Sequence, residues 1–284
     1  MSNKQSIVRE LRSMTAGMPA TDGAGVRMTR IIGTQELNVL DPFLLLDAFE
    51  SDRPDDYIGG FPSHPHRGFE TVTYLLAGRM RHKDNAGNEG VIEPGGVQWM
   101  TAGKGIVHSE MPEQEDGLLM GFQLWVNLPA SAKMSTPAYQ EFPPEKVPLE
   151  QHDNGTAIRV IAGITNSGSK GPVENAYVDP IYMDVSLPAG QSFEQTIGAT
   201  SNAFVFVIEG GLVVGERQNP LGHRTLGILS EGNRIVVTAD RDKTRFLLVA
   251  GKPLNEPIAR GGPFVMNTRD EIQQAFEDFQ NGQF

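Results

Sequence analysis

The same punctuation occurs twice along this chain. A β-like run ends at Leu76-Ala-Gly78-Arg79, a polar turn follows, and Glu93-Pro-Gly-Gly96 leads into another run. Further on, a run ends at Ile208-Glu-Gly210-Gly211, a polar turn follows, and Ser230-Glu-Gly232-Asn233 leads into the next. The matched glycines stand 132 and 136 residues apart. A repeat of that length is a whole small domain, so two copies of one β-barrel or jelly roll are predicted.

The strand signals agree. Phe43-Leu-Leu-Leu46 follows Asp41-Pro42, and Thr71-Val-Thr-Tyr-Leu-Leu76 is rich in β-branched and aromatic residues. In Gly121–Leu128, Phe122, Leu124, Val126 and Leu128 alternate with polar or amphipathic neighbours, which puts them on one strand face. Ile181–Leu187, Phe204–Ile208, Arg234–Thr238 and Phe246–Val249 supply strands to the second half. One helix is predicted, near residue 270. Thr268-Arg-Asp-Glu271 has the capping-box form, and Ile272, Ala275, Phe276 and Phe279 recur on one helical face. It is read as a docking helix that covers a sheet. The all-β fold is therefore expected as a barrel over 1–135, a Pro-rich crossover over 136–170, and a second barrel with the helix over 171–284.

Composition removes several chemistries. There is no cysteine, so disulfides, thiolate zinc sites, iron–sulfur clusters and thiol nucleophiles are all excluded. A metal would have to be held by histidine and carboxylate. The formal charge of −11 argues against direct nucleic-acid binding, which rests on Lys and Arg neutralising phosphates. The first twenty residues lack the apolar core of a secretory signal, and no apolar run approaches membrane-spanning length, so a cytoplasmic location is expected.

The six histidines are unevenly placed. His64-Pro-His66 and His108-Ser-Glu110 are two pairs with strand spacing, and residues i and i+2 of a strand share a face. Pro65 pushes His64 to an extended backbone. If both strands line one barrel, three imidazoles and a carboxylate converge, a donor set suited to Fe, Mn, Ni, Cu or Zn rather than Mg or Ca. His82, His152 and His223 fall in polar turns or in the crossover and are expected to face solvent. Gly103-Lys-Gly105 is read as a tight turn, not a phosphate loop. No nucleophile elbow, Walker loop or dinucleotide fingerprint is present.

These motifs resemble the cupin superfamily: Gly60, His64-Pro-His66, Glu70 and Gly78 form the first motif, and Gly103-Lys-Gly-Ile-Val-His108 the second, with Gly in place of the usual Pro. More closely, the chain resembles the pirin family. The resemblance is carried by Asp41-Pro-Phe-Leu-Leu-Leu-Asp47, by His64-Pro-His-Arg-Gly-Phe-Glu-Thr-Val-Thr-Tyr74 and by Gln98-Trp-Met-Thr-Ala-Gly-Lys-Gly-Ile-Val-His-Ser-Glu-Met-Pro112. Gln123-Leu-Trp-Val-Asn-Leu128 and Gly262-Pro-Phe-Val-Met-Asn-Thr268 extend it almost to the end.

It implies a bicupin with one divalent transition metal in the first barrel, held by His64, His66, His108 and Glu110. Iron(II) is the expected ion, with Mn, Ni, Co, Cu or Zn as alternatives. Glu70 departs from the general cupin pattern, in which that glutamate is often a ligand, and is expected to be structural or supporting. Phe193-Glu-Gln195 stands where the second barrel would need His-x-His, so no metal is expected there. The implied activity is quercetin 2,3-dioxygenase-like: oxidative cleavage of a flavonol by O2 with release of carbon monoxide, Glu110 serving as general base. The alternative implied role is an iron-dependent regulatory protein that binds a transcription factor, nuclear in a eukaryote, or a metabolic enzyme. Phe61, Met100, Gln123 and Trp125 are candidates to line the substrate mouth, and Asp47 to hold a ligand histidine through its ring N–H.

Overall fold

The computed structural model describes residues 6–240 and 242–284. It is dominated by strands, and the α-helix among the described residues is Arg269–Gln280. No helix of the described residues is long and apolar enough to cross a membrane. The chain forms two compact units.

One unit comprises Met18–Lys146 and Leu254–Phe284. Its larger sheet runs, in spatial order, Ala138–Phe142, Val97–Thr101, Phe69–Ala77, Leu119–Asn127, Phe43–Ser51, Val26–Ile32 and Met18–Asp22. Its smaller sheet runs Phe61–His66, Ile106–Pro112, Met80–Asp84 and Glu89–Ile92. The other unit comprises the segment ending at Gly17 and Val147–Pro253. It repeats the plan with a seven-stranded sheet, Leu11–Thr15, Leu226–Leu229, Asn202–Glu209, Thr244–Gly251, Ile181–Leu187, Ala157–Ala162 and Leu149–Gln151. Ser192–Thr196, Arg234–Ala239, Leu212–Val214 and Asn219–Leu221 form its four-stranded sheet. All named ladders in these sheets are antiparallel. The expected duplication is therefore a duplication of strand order.

The unit boundaries differ from those read in the sequence. The edge strand of the second barrel is Leu11–Thr15, which pairs with Leu226–Leu229. The corresponding edge of the first barrel is Ala138–Phe142, inside the expected crossover, which pairs with Val97–Thr101. The last thirty or so residues belong to the first barrel's unit, not the second's. A two-stranded ribbon, Ala259–Gly261 with Phe264–Met266, lies in this returning segment. Its Val265 N–H donates to the Arg67 carbonyl at 3.0 Å. The buried Lys133 ammonium donates to the carbonyls of Gly68 (2.8 Å) and Val265 (3.0 Å) and to Asn127 Oδ1 (2.8 Å). The helix has the expected cap: Thr268 Oγ1 accepts from the Glu271 N–H, and Glu271 accepts from the Thr268 N–H. It rests on the ribbon through Phe276 and Phe279 against Phe264, and Asp278 accepts from the buried Arg67 guanidinium at 2.6 Å.

The two interiors differ in kind. The second barrel holds one continuous apolar cluster, including Val160, Met183, Val205, Phe246 and Leu248. The first barrel includes smaller apolar groups: Val26, Phe49, Leu75 and Met80 with their neighbours; Leu44, Phe69 and Val265; and Met100, Ala102 and Ile106.

Candidate metal centre

The predicted histidine pairs lie on neighbouring strands. Phe61–His66 pairs with Ile106–Pro112 so that His108 faces His64 directly, and a register shift then brings Glu110 opposite Phe61. Directly opposed residues share a face, so all four side chains point the same way. The turn that feeds this strand needs a glycine. Gly60 has φ +56°, and a Cβ there would lie 2.9 Å from the Glu110 carbonyl.

His64, His66 and His108 offer ring nitrogens that all lie within 4.8 Å of one another. His66 and His108 are buried, and His64 is half-buried at the cavity mouth. His64 Nδ1 lies 2.8 Å from the Pro62 carbonyl, and His66 Nδ1 lies 3.4 Å from that of Pro263. A carbonyl only accepts, so each Nδ1 is the donor, the tautomer that leaves Nε2 available to a metal. Those two Nε2 atoms are 3.1 Å apart, an arrangement of converging lone pairs that a shared cation satisfies. Neither ring nitrogen of the buried His108 has a hydrogen-bond partner. Burial holds His66 down at about 3, helped by the His64 charge, and holds His108 well below the usual imidazole range. Neutral, lone-pair-bearing imidazoles are the form a metal takes. The three histidines thus fit a divalent transition ion.

Glu110 lines the same cavity, but its carboxylate is engaged elsewhere. Thr73 Oγ1 lies 2.8 Å from Oε1, and Gln123 Nε2 lies 3.3 Å from Oε2. Thr73 Oγ1 also lies 2.6 Å from Gln123 Oε1, and its single proton serves one acceptor at a time.

These contacts belong to a polar row that crosses the larger sheet. Arg30, Asp47, Gln123, Thr73, Gln98 and Glu141 are successive cross-strand partners, one from each of six strands. Arg30 pairs with Asp47 in a bidentate bridge of 2.9 and 2.7 Å, and Gln98 donates to Glu141 at 2.8 Å. On the smaller sheet His82 is the cross-strand partner of Glu110.

The structure corrects three expectations. Asp47 orients no histidine; both of its oxygens are taken by Arg30. Met100 does not line the cavity; it packs with Ala102, Ile106 and Tyr139. His82 does not face solvent. Met80, His82 and Asp84 alternate inward, its ring stacks on Tyr139 at 5.7 Å, and its Nε2 meets the Glu141 carboxylate. His152 and His223 are exposed, as expected. Glu70 accepts from Thr101 Oγ1 at 2.8 Å and stands between Phe69 and Thr71, so it points to the opposite face from those two neighbours.

Phe61, Gln123 and Trp125 do line the cavity, together with Arg30, Arg260 and Pro263. Its volume is about 410 Å³, the size of a site for a small organic ligand. Trp125 stands edge-on to His66 with ring centres 5.2 Å apart and lies against Phe69 at 4.2 Å. Thr73, Arg30, Arg260 and the Pro62 and Pro263 carbonyls were not singled out in the sequence. Thr73 is the one with a local signal, because it shares a strand face with Phe69 and Thr71.

Two duplicated jelly-roll barrels, one of them with a three-histidine cluster, define a bicupin with a single candidate metal centre among the described residues. Family models for Pirin and for the Pirin C-terminal cupin domain match residues 25–126 and 182–284. The chain belongs to the pirin family. It is 54% identical to a pirin-like protein of Caulobacter vibrioides, over 98% of this chain and 99% of that protein. It is 44% identical to human pirin, over 92% of this chain and 89% of that one. A crystal structure of quercetin 2,3-dioxygenase from Acinetobacter baumannii matches with a TM-score of 0.90 and 36% identity, covering 98% of this chain and 99% of the other.

Proposed function

We propose that this chain is a metal-dependent dioxygenase that cleaves a flavonol such as quercetin with release of carbon monoxide, with iron(II) as the working ion. The observation that carries the reading is the convergence of three imidazoles beside a cavity of about 410 Å³. The 36% identity to a quercetin 2,3-dioxygenase supports the substrate class. His64, His66 and His108 hold the ion, and Glu110 is its fourth donor or the neighbouring base. When bound, the ion supplies Lewis acidity and the redox partner that O2 requires.

The chain's own residues do the rest. Trp125 and Phe61 flank the cavity with aromatic surface that suits a planar ligand. Glu110 lines the cavity, and its Oε2 has only a 3.3 Å contact from Gln123, so it is the oxygen freer to accept a proton from a substrate hydroxyl. Thr73 holds the other oxygen and fixes the carboxylate plane. The Pro62 and Pro263 carbonyls fix the ring orientations of His64 and His66. The returning segment carries Pro263 and Arg260 to the cavity wall and screens it from water.

The test is anaerobic reconstitution with Fe(II), followed by quercetin and O2 with carbon monoxide as the readout. Turnover that falls at least a hundredfold in Glu110→Gln is expected. Absence of turnover with each of Fe, Mn, Ni, Co and Cu refutes the reading.

A further inference from the structure

The charges at the cavity mouth do not balance pairwise. Arg30 and Arg260 both line it, as do Asp22 and Asp47. Arg30 takes both carboxylates: Nε and NH2 bind Asp47, and NH2 also reaches Asp22 Oδ2 at 2.9 Å. Arg260 has no carboxylate partner among the described residues. Its one hydrogen bond runs from NH1 to the Leu44 carbonyl at 3.3 Å. A guanidinium has five N–H donors, so most of this fork is unused.

The position of Arg260 is fixed. It lies on the ribbon strand Ala259–Gly261, opposite Val265, and Val265 is itself tied to Arg67 and Lys133. Its guanidinium carbon sits 5.1 Å over the Trp125 ring, and Trp125 is 5.2 Å from His66. The free cation is therefore no further from the His66 ring than those two distances together. Desolvation and the positive charge of Arg30 lower its pKa, opposed in part by the Asp47 carboxylate that Arg30 already holds.

We propose that the cavity takes a planar hydroxylated aromatic that also carries a carboxylate, with Arg260 as the carboxylate's partner and the hydroxyl end directed to the histidine cluster. Arg260 is then the residue that sets specificity for acidic over neutral aromatics. A planar fork that binds a carboxylate bidentately is the recognition arginine does best. The proposal rests on the reading of this cavity as the substrate site, and its test uses binding alone.

The experiment loads the full chain with Zn(II), which is redox-inert, and measures Kd by quenching of tryptophan fluorescence. The probes are catechol, 2,3-dihydroxybenzoate and 3,4-dihydroxybenzoate, the acids placing a carboxylate at two distances from the chelating oxygens. A charge-assisted pair at a partly solvated rim is worth about five- to tenfold in affinity. At least one acid is expected to lose that factor in Arg260→Gln relative to wild type, with catechol unchanged within about twofold. Arg260→Lys should retain part of the gain, and salt should erode it. Equal weakening of acids and catechol in Arg260→Gln would make Arg260 a mere wall over Trp125 and overturn the proposal. Acid affinities that ignore the substitution, or no binding of any probe, overturn it as well. Quercetin turnover with no Arg260-dependent acid preference would sink this inference and leave the oxygenase reading standing. An Arg260-dependent preference without quercetin turnover would do the reverse.

Discussion

Substituting Gly68 by alanine should unlock the returning segment from the first barrel. Gly68 has φ +87°, and a Cβ there would stand 2.0 Å from the Val265 carbonyl oxygen and 2.8 Å from Met266 Sδ. The nearest obstacle is backbone, so Val265 must move by more than 1 Å to reach ordinary van der Waals separation. That displacement costs the Lys133–Val265 bond and the Val265 N–H bond to Arg67. Losing a hydrogen bond to a buried ammonium costs about 1.5–3 kcal/mol, and losing a neutral one about 1 kcal/mol. Holding alanine at this φ adds roughly 1–2 kcal/mol. The expected loss is therefore about 4–6 kcal/mol, a large share of ordinary domain stability. Gly87→Ala is the control: φ is +91° there, and an added Cβ meets nothing within 4 Å. It should show only the backbone component. Urea unfolding followed by tryptophan fluorescence measures both variants. If Gly68→Ala falls within 1 kcal/mol of Gly87→Ala, the packing of the returning segment on residue 68 is not what holds it.

Three further outcomes can be checked. In the metal-free protein, His66 binds a proton only near pH 3 when folded but near 6.5 when unfolded. Between those values the unfolded state holds more protons, so stability present above pH 6.5 is lost as pH falls, by about 2 kcal/mol at pH 5 from this group. Urea midpoints at pH 7 and pH 5 should show that loss, and His66→Gln should remove it; equal slopes in both proteins would contradict the burial argument. After dialysis, elemental analysis should find His66→Ala and His108→Ala stripped of metal while wild type retains about one ion per chain; retention by either variant would misplace the cluster. Thr268→Ala removes the helix cap and should cost about 1 kcal/mol by thermal unfolding, with no change in metal content.

What could be read in the sequence was whatever repeats at short range. Phe122, Leu124, Val126 and Leu128 are buried as their alternation required, and the strands that carry His64, His66, His108 and Glu110 are extended as Pro65 and the i, i+2 spacing implied. The error on His82 was avoidable in these terms. Met80-Arg-His-Lys-Asp84 alternates inward and outward, but its charged residues made it look like a turn. Other features had no local signature. Asp47 meets Arg30 seventeen positions away, and the Pro263 carbonyl meets His66 from 197 positions away. Register across a sheet and the return of a chain end to an earlier barrel are products of tertiary packing, so Arg260 could not be ranked as a site residue beforehand.

The second barrel shows why the fold alone carries no site. Its large sheet has a row topologically matching Arg30, Asp47, Gln123 and Thr73, and there the successive partners are Val160, Met183, Leu248 and Val205. All four are buried in one apolar cluster, a row that strengthens a core. On its smaller sheet Phe193 faces Val237, where the first barrel has His64 facing His108. The first barrel gives up that continuous burial, and it compensates with the Arg30–Asp47 bridge and the Thr73–Gln123–Glu110 contacts. It also recruits a wall from the returning segment, anchored by Lys133 and by Arg67 with Asp278. A polar group left unpaired inside a barrel carries a desolvation cost. Thr71 Oγ1, Trp99 Nε1 and Asn127 Nδ2 lack a partner too, but the unpaired His108 nitrogens lie where three imidazoles meet. Unpaired imidazole lone pairs that converge beside a carboxylate are a donor set that a cation satisfies.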